Sequence, residues 1–288
     1  MNPMNRTTLS QRLKSYKHSP LSFFLLLCVL LATFLTVAIL VILVGYILYK
    51  GIPNLNLSLF AWEYNTENVS MMPAIINTIT MTLLSLVIAV PLGVGAAIYL
   101  VEYARRGNKI VGIIRITAET LSGIPSIVYG LFGYLLFVIA CGFSYSLLGG
   151  ALTLSIMILP LIMRTTEEAL KAVPDSYREG SFGLGAGRLR TVFQIVLPSA
   201  VPGILAGIIL AIGRIVGETA ALIFTAGTVP GIPDNLLGSG RTLAVHMYAL
   251  WNEGLYTQQA YATGVVLLLV VIFINALSSF LAKKVTAR

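Results

Sequence analysis

An arginine and a glutamate stand four residues apart in one of the most apolar stretches of this sequence. Arg214 and Glu218 belong to AIGRIVGETAALIF, residues 211–224. On one continuous helix, positions i and i+4 lie about 40° apart on the same face. A central arginine costs roughly 2.5–3.5 kcal/mol on membrane-insertion scales, and intramembrane charges mark functional positions. We therefore take this pair, with Thr219 as a weaker third, as candidates for a substrate site or pathway.

The chemistry available to this pair is anion binding. A guanidinium is planar and permanently charged, and its fork of N–H donors matches the oxygens of a phosphate-type ion. Glu218 would hold Arg214 while the site is empty and would weaken anion binding enough for release. Two other interpretations stay open: the charges neutralise each other within the helix, or each binds a neighbouring helix purely for packing.

The composition places this stretch in a membrane protein. Of 288 residues, 57% are hydrophobic and 10% are charged, whereas a soluble domain carries about 25% charged residues. The excess of 19 basic over 11 acidic residues would suggest nucleic acid in a soluble protein. In a membrane protein the positions of those charges set the orientation instead, so we expect contact with membrane lipid and none with nucleic acid.

Charge-free runs locate the spans, because a helix needs about 20 apolar residues to cross the hydrocarbon core. The run before Arg164 is too long for one helix, and CGFSYSLLGG (141–150) divides it. The sequence therefore predicts an all-α integral membrane protein. Its six transmembrane helices are expected at about residues 21–49, 75–100, 120–141, 145–164, 202–224 and 260–281.

The basic residues predict the topology, since lysines and arginines near span ends remain on the cytoplasmic side. Most lie in four segments on one side of the predicted membrane: 1–20, 101–119, 164–198 and 283–288. Lys50 and Arg241 fall on the other side. Both termini are therefore predicted to be cytoplasmic, each with a basic tail.

Hydroxyl residues recur on the predicted spans. Thr78 and Thr82 fall on one face of the second span, and Ser122 and Ser126 share a face around Pro125 in the third. Such residues either line a polar pathway or hydrogen-bond to neighbouring helices, and both interpretations stay open.

Two glycine pairs on the fifth span, Gly203/Gly207 and Gly213/Gly217, have the G-x-x-x-G spacing that lets helix backbones approach closely. This span is therefore expected to pack against another helix. The few histidines and cysteines of the sequence are scattered, so no metal site is expected.

The segment VPDSYREGSFGLGAGRLRTVFQIVLPSAVPG, residues 173–203, predicts a short surface helix. Ser176 to Glu179 has the S-x-x-E form of a capping box, and Gly185 ends the helix. Alone, so short and glycine-rich a helix is marginal, so we expect it to dock on another protein or on this chain's own spans. One face carries Tyr177, Ser181 and Leu184.

The same segment resembles a known motif. From Glu179 to Pro198 it follows the E-A-A-x3-G-x9-I-x-L-P loop of bacterial ABC importer permeases, with Gly180 and Ser181 in place of the two alanines. In that family the loop forms a coupling helix that docks on a cytoplasmic ATPase. The resemblance implies that 165–198 is the coupling loop. The ATPase-coupling residues would be Tyr177, Glu179, Gly180, Ser181, Gly185, Ile195, Leu197 and Pro198.

The resemblance covers roughly residues 71–282, the type-1 permease core of five helices, with 21–49 as an additional helix in front. Within the family, ETLSGIPSIVYGLFG (119–133) and GRIVGETAALIF (213–224) look like the phosphate-specific importer permeases. The second stretch resembles the A-type subunit more than its C-type partner. The resemblance implies a multi-pass subunit of the bacterial inner membrane that forms half of a pathway for inorganic phosphate, working by alternating access.

The resemblance also implies three partners: a second homologous permease subunit that forms a heterodimer, a cytoplasmic ATPase dimer and a periplasmic phosphate-binding protein. The second permease could supply the helix that packs on the glycine pairs. No G-x-x-x-x-G-K-[ST] motif occurs. The chain is therefore expected not to be an enzyme and to bind no cofactor, with ATP and Mg²⁺ on the ATPase chains.

Two alternative functions stay open. The first is a permease for another oxyanion, since the guanidinium chemistry is shared. The second is a self-contained secondary transporter or channel, which would ordinarily show repeated halves and several intramembrane carboxylates. A membrane-embedded enzyme has little support, because a lone carboxylate without a Cys, His or metal cluster offers little chemistry.

Overall fold

The computed structural model describes residues 20–105 and 107–286, and these ranges are helical with no β-strand. This confirms the all-α class. Five helices are long and apolar enough to cross a membrane, and a bent pair of helices provides a sixth candidate span. Nearly all of the predicted basic tail 1–20, Arg106 and residues 287–288 lie outside the described residues.

The chain divides into two units at residue 50. The first contains α1 (Pro20–Gly51), which corresponds to the predicted span 21–49. Its 32 residues make a helix about 48 Å long, and it carries no charged residue between Leu21 and Tyr49. A helix that is apolar on every side belongs in an apolar surrounding such as lipid.

The second unit contains the remaining described helices. They are α2 (Met72–Tyr103), α3 (Lys109–Ser122), α4 (Ser126–Ala140), α5 (Leu147–Lys171), α6 (Asp175–Gly183), α7 (Arg188–Val216), α8 (Ala220–Thr225), α9 (Leu243–Glu253) and α10 (Thr257–Thr286). Three of them contain π-helical stretches, at Tyr99–Tyr103, Tyr134–Ala140 and Val192–Val196.

α5 is central to the second unit, because both α2 and α7 pack along it. The Ser85 hydroxyl on α2 donates to the Ala151 carbonyl (3.2 Å), and the Ser155 hydroxyl on α5 donates to the Ser85 carbonyl (3.2 Å). A side chain on Gly150 would collide with Met81. Small residues and shared hydroxyls therefore bring these two helices into close contact, as in other membrane helix pairs.

The contact between α5 and α7 uses the first glycine pair. A Cβ on Gly203 would lie 2.6 Å from the Cβ of Ala169, and a Cβ on Gly207 would overlap Thr165. This G-x-x-x-G spacing therefore packs within the chain. A Cβ on Gly213 would meet nothing within 4 Å, so only the second pair leaves room for a helix from elsewhere.

The third predicted span is bent sharply. α3 ends at Ser122, α4 begins at Ser126, and the two helix axes differ in direction by 103°. Pro125 precedes α4 as its N-cap, and a proline disfavours helical conformation in the residue before it. The prediction that Ser122 and Ser126 share one helix face was therefore wrong, because they lie on different helices.

The segment between α8 and α10 forms α9, which packs on α10 and α2. The Thr242 hydroxyl caps the start of α9 by accepting from the Val245 amide (3.5 Å). Gly254 ends α9 with φ +73°, a left-handed conformation that favours glycine. The Leu243 amide donates to the Thr78 hydroxyl on α2 (2.8 Å), which ties the two helices together.

Arg241, Tyr64 and His246 form a buried contact beside α9. The guanidinium carbon of Arg241 lies 4.9 Å from the centre of the Tyr64 ring, and the His246 ring meets Tyr64 edge-on with centroids 6.2 Å apart. Arg241 is 3% exposed and His246 is fully buried. Burial and, second to it, the charge of Arg241 lower the pKa of His246 to about 3. His246 is therefore a neutral packing residue at physiological pH.

This burial predicts acid sensitivity. Since the pKa of His246 is lower in the folded chain than its ordinary 6.5, its contribution to stability is complete above that value and is lost as the pH falls towards about 3. The loss amounts to at most about 1.4 kcal/mol per pH unit. We expect the melting temperature of the purified chain to fall between neutral pH and about pH 4, and to fall less in His246→Phe.

Tyr248→Phe, an exposed position on the same helix, provides the control for this experiment. Its melting temperature should follow the wild-type curve over this pH range. An identical pH dependence in His246→Phe and wild type would contradict the assignment of acid sensitivity to the buried ring.

Candidate functional site

The fifth predicted span is interrupted beside the candidate pair. α7 ends at Val216 and α8 begins at Ala220, so Gly217, Glu218 and Thr219 lie outside both helices. The prediction that Arg214 and Glu218 share one helix face was therefore wrong, since that spacing holds only along a continuous helix. Gly217 favours the interruption because glycine is a weak helix former.

Each charge of the pair is accommodated separately at the interruption. Arg214 lies in the last turn of α7, where a cation is stabilised by the carbonyl end of the helix dipole. The Glu218 side chain is buried, and its carboxylate accepts a hydrogen bond from the Ala221 amide at the start of α8 (3.1 Å). Among the described residues no ion pair joins Arg214 to any carboxylate. The half-buried guanidinium is therefore not neutralised by Glu218.

α4 packs closely against the short helix that follows the interruption. A Cβ on Gly130 would lie 2.8 Å from the Ala221 Cα, and one on Gly133 would lie 2.8 Å from a methyl of Thr225. Tyr129, next to Gly130, lies close enough to Arg214 for the charge of the guanidinium to act on the tyrosine side chain. These contacts hold α8 against α4. Arg214 lies on the other side of the interruption, in the last turn of α7.

An interrupted helix at membrane depth is a recognised form of binding site. Backbone groups freed at the interruption must find partners inside the protein, and the Glu218 carboxylate supplies one for Ala221. In many transporters such interruptions place helix ends and charged side chains around a substrate. The arrangement can present one unpaired guanidinium to an anion.

The hydroxyls of Thr78, Thr82 and Ser122 donate to carbonyls of their own helices. Thr78 and Thr82 are buried, and their hydroxyls donate to carbonyls one turn earlier on α2, at 2.7 Å each. Ser122 is exposed and its hydroxyl donates to the Glu119 carbonyl (2.7 Å). The Thr78 hydroxyl also accepts from the Leu243 amide of α9 (2.8 Å), so for Thr78 the structure favours hydrogen bonding to a neighbouring helix. Thr219 directly precedes α8 and makes no side-chain cap hydrogen bond.

The second candidate site is α6, the short helix of the predicted coupling loop. It begins at Asp175 after an N-cap at Pro174, with no side-chain cap hydrogen bond. The predicted capping box at Ser176 was therefore wrong. Ser176 is already the second residue of the helix and so cannot cap it, and Pro174, which lacks an amide hydrogen, stands at the boundary.

The end of α6 follows the prediction. Gly185 has φ +82°, its amide donates to the Phe182 carbonyl (2.9 Å), and the Ala186 amide donates to the Ser181 carbonyl (3.1 Å). These two bonds form the Schellman motif that ends helices at a left-handed glycine. The chain then turns into α7.

One side of α6 docks on its own chain and the other stays open. The Ser181 hydroxyl is buried and hydrogen-bonded to the Thr191 hydroxyl on α7 (2.8 Å). Tyr177, Phe182 and Leu184 are exposed. The predicted single face of Tyr177, Ser181 and Leu184 therefore divides, with the serine inward. Of the remaining predicted coupling residues, Glu179, Gly180, Gly185 and Pro198 are exposed, and Ile195 and Leu197 are partly exposed.

A buried ion pair that the sequence analysis missed anchors α6. Arg178 donates to Glu102 at the end of α2 (2.8 Å), to the Leu170 carbonyl at the end of α5 (2.9 Å) and to the Val173 carbonyl (2.9 Å). The Arg178 and Glu102 side chains are 15% and 9% exposed. The guanidinium fork thereby joins the ends of two spans to α6. The sequence gives no signal for this pair, because Glu102 closely follows the second predicted span whereas Arg178 lies well beyond the end of the fourth.

Taken together, a bundle of membrane spans, an interrupted helix with an unpaired arginine and an anchored surface helix define the permease type of transport subunit. Comparison with known proteins gives the family. Residues 89–288 match the family model of the binding-protein-dependent transport system inner membrane component. The chain belongs to this family of ABC importer permeases, and it is a multi-pass inner-membrane protein.

Individual relatives agree with this assignment. The chain is 37% identical, over 87% of its length and 92% of the relative's, to the probable ABC transporter permease protein YqgI of Bacillus subtilis. It is 40% identical to the phosphate transport system permease protein PstA of Xylella fastidiosa over 62% of each chain, somewhat less than two thirds of that relative. The bacterial alginate ABC transporter shares the fold, with a TM-score of 0.63, 17% identity and coverage of 89% of this chain and 95% of that chain.

Members of this family are subunits of larger transport assemblies. A permease subunit of an ABC importer works with an ATPase and a substrate-binding protein. The α6 helix, exposed on one side and anchored on the other, lies at the loop that matches the family motif.

The anchoring ion pair yields a stability prediction. Arg178→Met leaves the Glu102 carboxylate buried without its partner, and breaking one side of a buried pair costs about 3–5 kcal/mol. We expect a clear drop in the melting temperature of the purified chain. The control is Arg164→Met, because Arg164 pairs with Glu168 where both side chains are more than half exposed and such pairs contribute about 0–1 kcal/mol. Equal melting temperatures for the two variants would contradict the anchoring role.

Proposed function

We propose that this chain is one permease subunit of an ATP-driven phosphate importer, pairing with a second homologous permease to enclose the pathway. Relatives named phosphate transport system permease protein PstA support this substrate. A periplasmic phosphate-binding protein would deliver the ion, and an ATPase dimer would bind ATP and Mg²⁺ on the cytoplasmic side. The chain itself would bind no cofactor.

The single observation that carries the proposal is the unpaired guanidinium of Arg214 beside the helix interruption. An oxyanion that leaves water for the membrane interior needs charge-assisted hydrogen bonds to replace its hydration. Arg214 can supply two parallel N–H donors without first breaking an ion pair to Glu218. The open surface at Gly213, one residue away, leaves room for the second permease to complete the site.

Glu218 would have a different role from the one expected on a continuous helix. Because its carboxylate is bonded to the Ala221 amide, it fixes the interruption and does not hold Arg214. Its negative charge, close in sequence to the guanidinium, would still oppose the anion and keep binding weak enough for release. Thr219 would contribute at most through its backbone.

Transport would follow from movement of α6. The exposed Tyr177, Phe182 and Leu184 offer an apolar surface to an ATPase cleft. Arg178 and Ser181 tie the other side of the helix to α2, α5 and α7. Closure of the ATPase dimer would therefore displace the ends of three helices together, and α7 leads directly to Arg214. This is alternating access driven from the cytoplasmic side.

A permease for another oxyanion is the second candidate, favoured by the same guanidinium, which recognises phosphate, sulfate or molybdate geometry alike. Competition experiments separate the two. Uptake of labelled phosphate by the reconstituted importer should be reduced by unlabelled phosphate and left unchanged by equal concentrations of sulfate.

The test of the site is a pair of substitutions at the interruption. We expect Arg214→Gln to reduce phosphate uptake by at least about 100-fold, the equivalent of about 2.7 kcal/mol, because the charged donor is lost. Glu218→Gln keeps an oxygen that can accept from Ala221. It should lower KM and slow turnover, because the opposing charge is lost. Uptake is measured in proteoliposomes containing the whole importer.

Assembly serves as the control for both variants: each must co-purify with the partner subunits in wild-type amounts. Wild-type uptake by assembled Arg214→Gln would contradict the site assignment.

Coupling is tested at two glycines of the same loop. Gly185 is left-handed, so Gly185→Ala costs about 1–2 kcal/mol and should loosen the end of α6. We expect co-purification with the ATPase to be lost. Gly183→Ala is the matched control: Gly183 also lies on α6, a Cβ there meets nothing within 4 Å, and alanine improves helix propensity by about 1 kcal/mol. Retention of the ATPase by Gly185→Ala, or its loss in Gly183→Ala, would contradict the docking assignment.

A further inference from the structure

A cavity of about 830 Å³ lies at the predicted cytoplasmic end of α2, between the turn that leads into α3 and the docking helix α6. It is separate from the interruption at Arg214. Five cationic side chains from the turn and from α3, α5, α6 and α7 line it: Arg105, Arg115, Lys171, Arg178 and Arg188. We refer to it as the basic cavity.

Three carboxylates partly balance these charges. Glu102 and Asp175 both bond to Arg178, at 2.8 Å and 3.1 Å. Glu167, buried beside the cavity, bonds to Arg115 (2.7 Å) and Lys171 (2.6 Å). Arg105 and Arg188 have no carboxylate partner among the described residues. The basic cavity therefore keeps an excess of positive charge, and the two unpaired arginines carry it.

The cavity wall is partly apolar. Tyr103 lines it, and the guanidinium carbon of Arg188 lies 5.9 Å from the centre of the Tyr103 ring. Leu100 and Val111 add buried apolar surface next to these groups. Two guanidinium groups without a carboxylate partner among the described residues, on a partly apolar wall, are suited to an anion with several oxygens.

We propose that the basic cavity binds a phosphate-type oxyanion. The oxyanion has two chemical sources: the headgroup of an anionic phospholipid or free inorganic phosphate in the cytoplasm. Basic pockets between helices on the cytoplasmic side of a membrane are suited to anionic headgroups, and the apolar wall can accept part of a lipid. Arg105 and Arg188 provide the direct contacts.

Occupancy of this site would act on the docking helix. The cavity is walled by the end of α2, by α6 and by the start of α7. An oxyanion between Arg105 and Arg188 would bridge the α2–α3 turn to α7 and restrict movement of α6 between them. The amount of anionic lipid or phosphate at the inner membrane face would thus affect the movement of α6, the helix that the ATPase is proposed to contact. The binding itself does not depend on which ion is transported.

The test compares wild type with the double variant Arg105→Gln/Arg188→Gln. Both arginine side chains are exposed, so the double variant is expected to fold normally. In one arm the full-length chain in neutral phosphatidylcholine nanodiscs receives increasing fractions of phosphatidylglycerol, and bound phosphatidylglycerol is measured by native mass spectrometry. In the other, inorganic phosphate is titrated by calorimetry at constant ionic strength. The phosphate arm uses an Arg214→Gln background to remove the pathway site.

We expect the double variant to bind about 30-fold more weakly in at least one arm, since each basic residue contributes about 1 kcal/mol towards an anionic headgroup. Weakening in the lipid arm alone identifies a headgroup site, and weakening in the phosphate arm alone identifies a free-phosphate site. The matched control is Arg190→Gln, because Arg190 is also on α7, exposed, and bonded to Gln194. Unchanged binding of the double variant in both arms, or equal weakening by Arg190→Gln, would overturn the proposal.

Discussion

The constraint on which this structure depends is the absence of water around backbone polar groups in the membrane. A helix interrupted at Gly217–Thr219 exposes amides and carbonyls that lipid cannot satisfy. The chain meets this requirement with the Glu218 carboxylate on the Ala221 amide and with close packing of α8 on the glycines of α4. With Glu218 engaged in this way, Arg214 has no ion-pair partner among the described residues, and the proposed substrate chemistry follows from that.

The same principle explains why the spans could be predicted. The penalty for placing a charge in hydrocarbon is large for each residue, so charge-free runs predict α1, α2, α5 and α10 closely. Their ends extend beyond the predicted bounds, to Lys171 in α5 for example, because a helix continues into water as long as its own hydrogen bonds allow. Hydropathy therefore predicts the boundaries of the hydrocarbon region better than it predicts the ends of the helices.

The site was harder to predict because its geometry depends on contacts distant in sequence. Gly217 alone does not predict an interruption, since membrane helices tolerate glycine; the close fit of Gly130 against Ala221 is visible only in the fold. Arg178 and Glu102 are 76 positions apart, and no local pattern joins them. The end of α6 was predictable because it is local: Gly185 ends the helix with a left-handed conformation that its residue type favours.

The interruption also affects how the subunit can respond to bilayers of different thickness. An unbroken span meets hydrophobic mismatch by tilting as a whole, which would carry any attached side chain with it. Here α7 can change its tilt while α8 remains packed against α4. The break at Gly217–Thr219 would separate the two tilts, so a membrane of different thickness would alter the angle of α7 and leave α8 in place against α4.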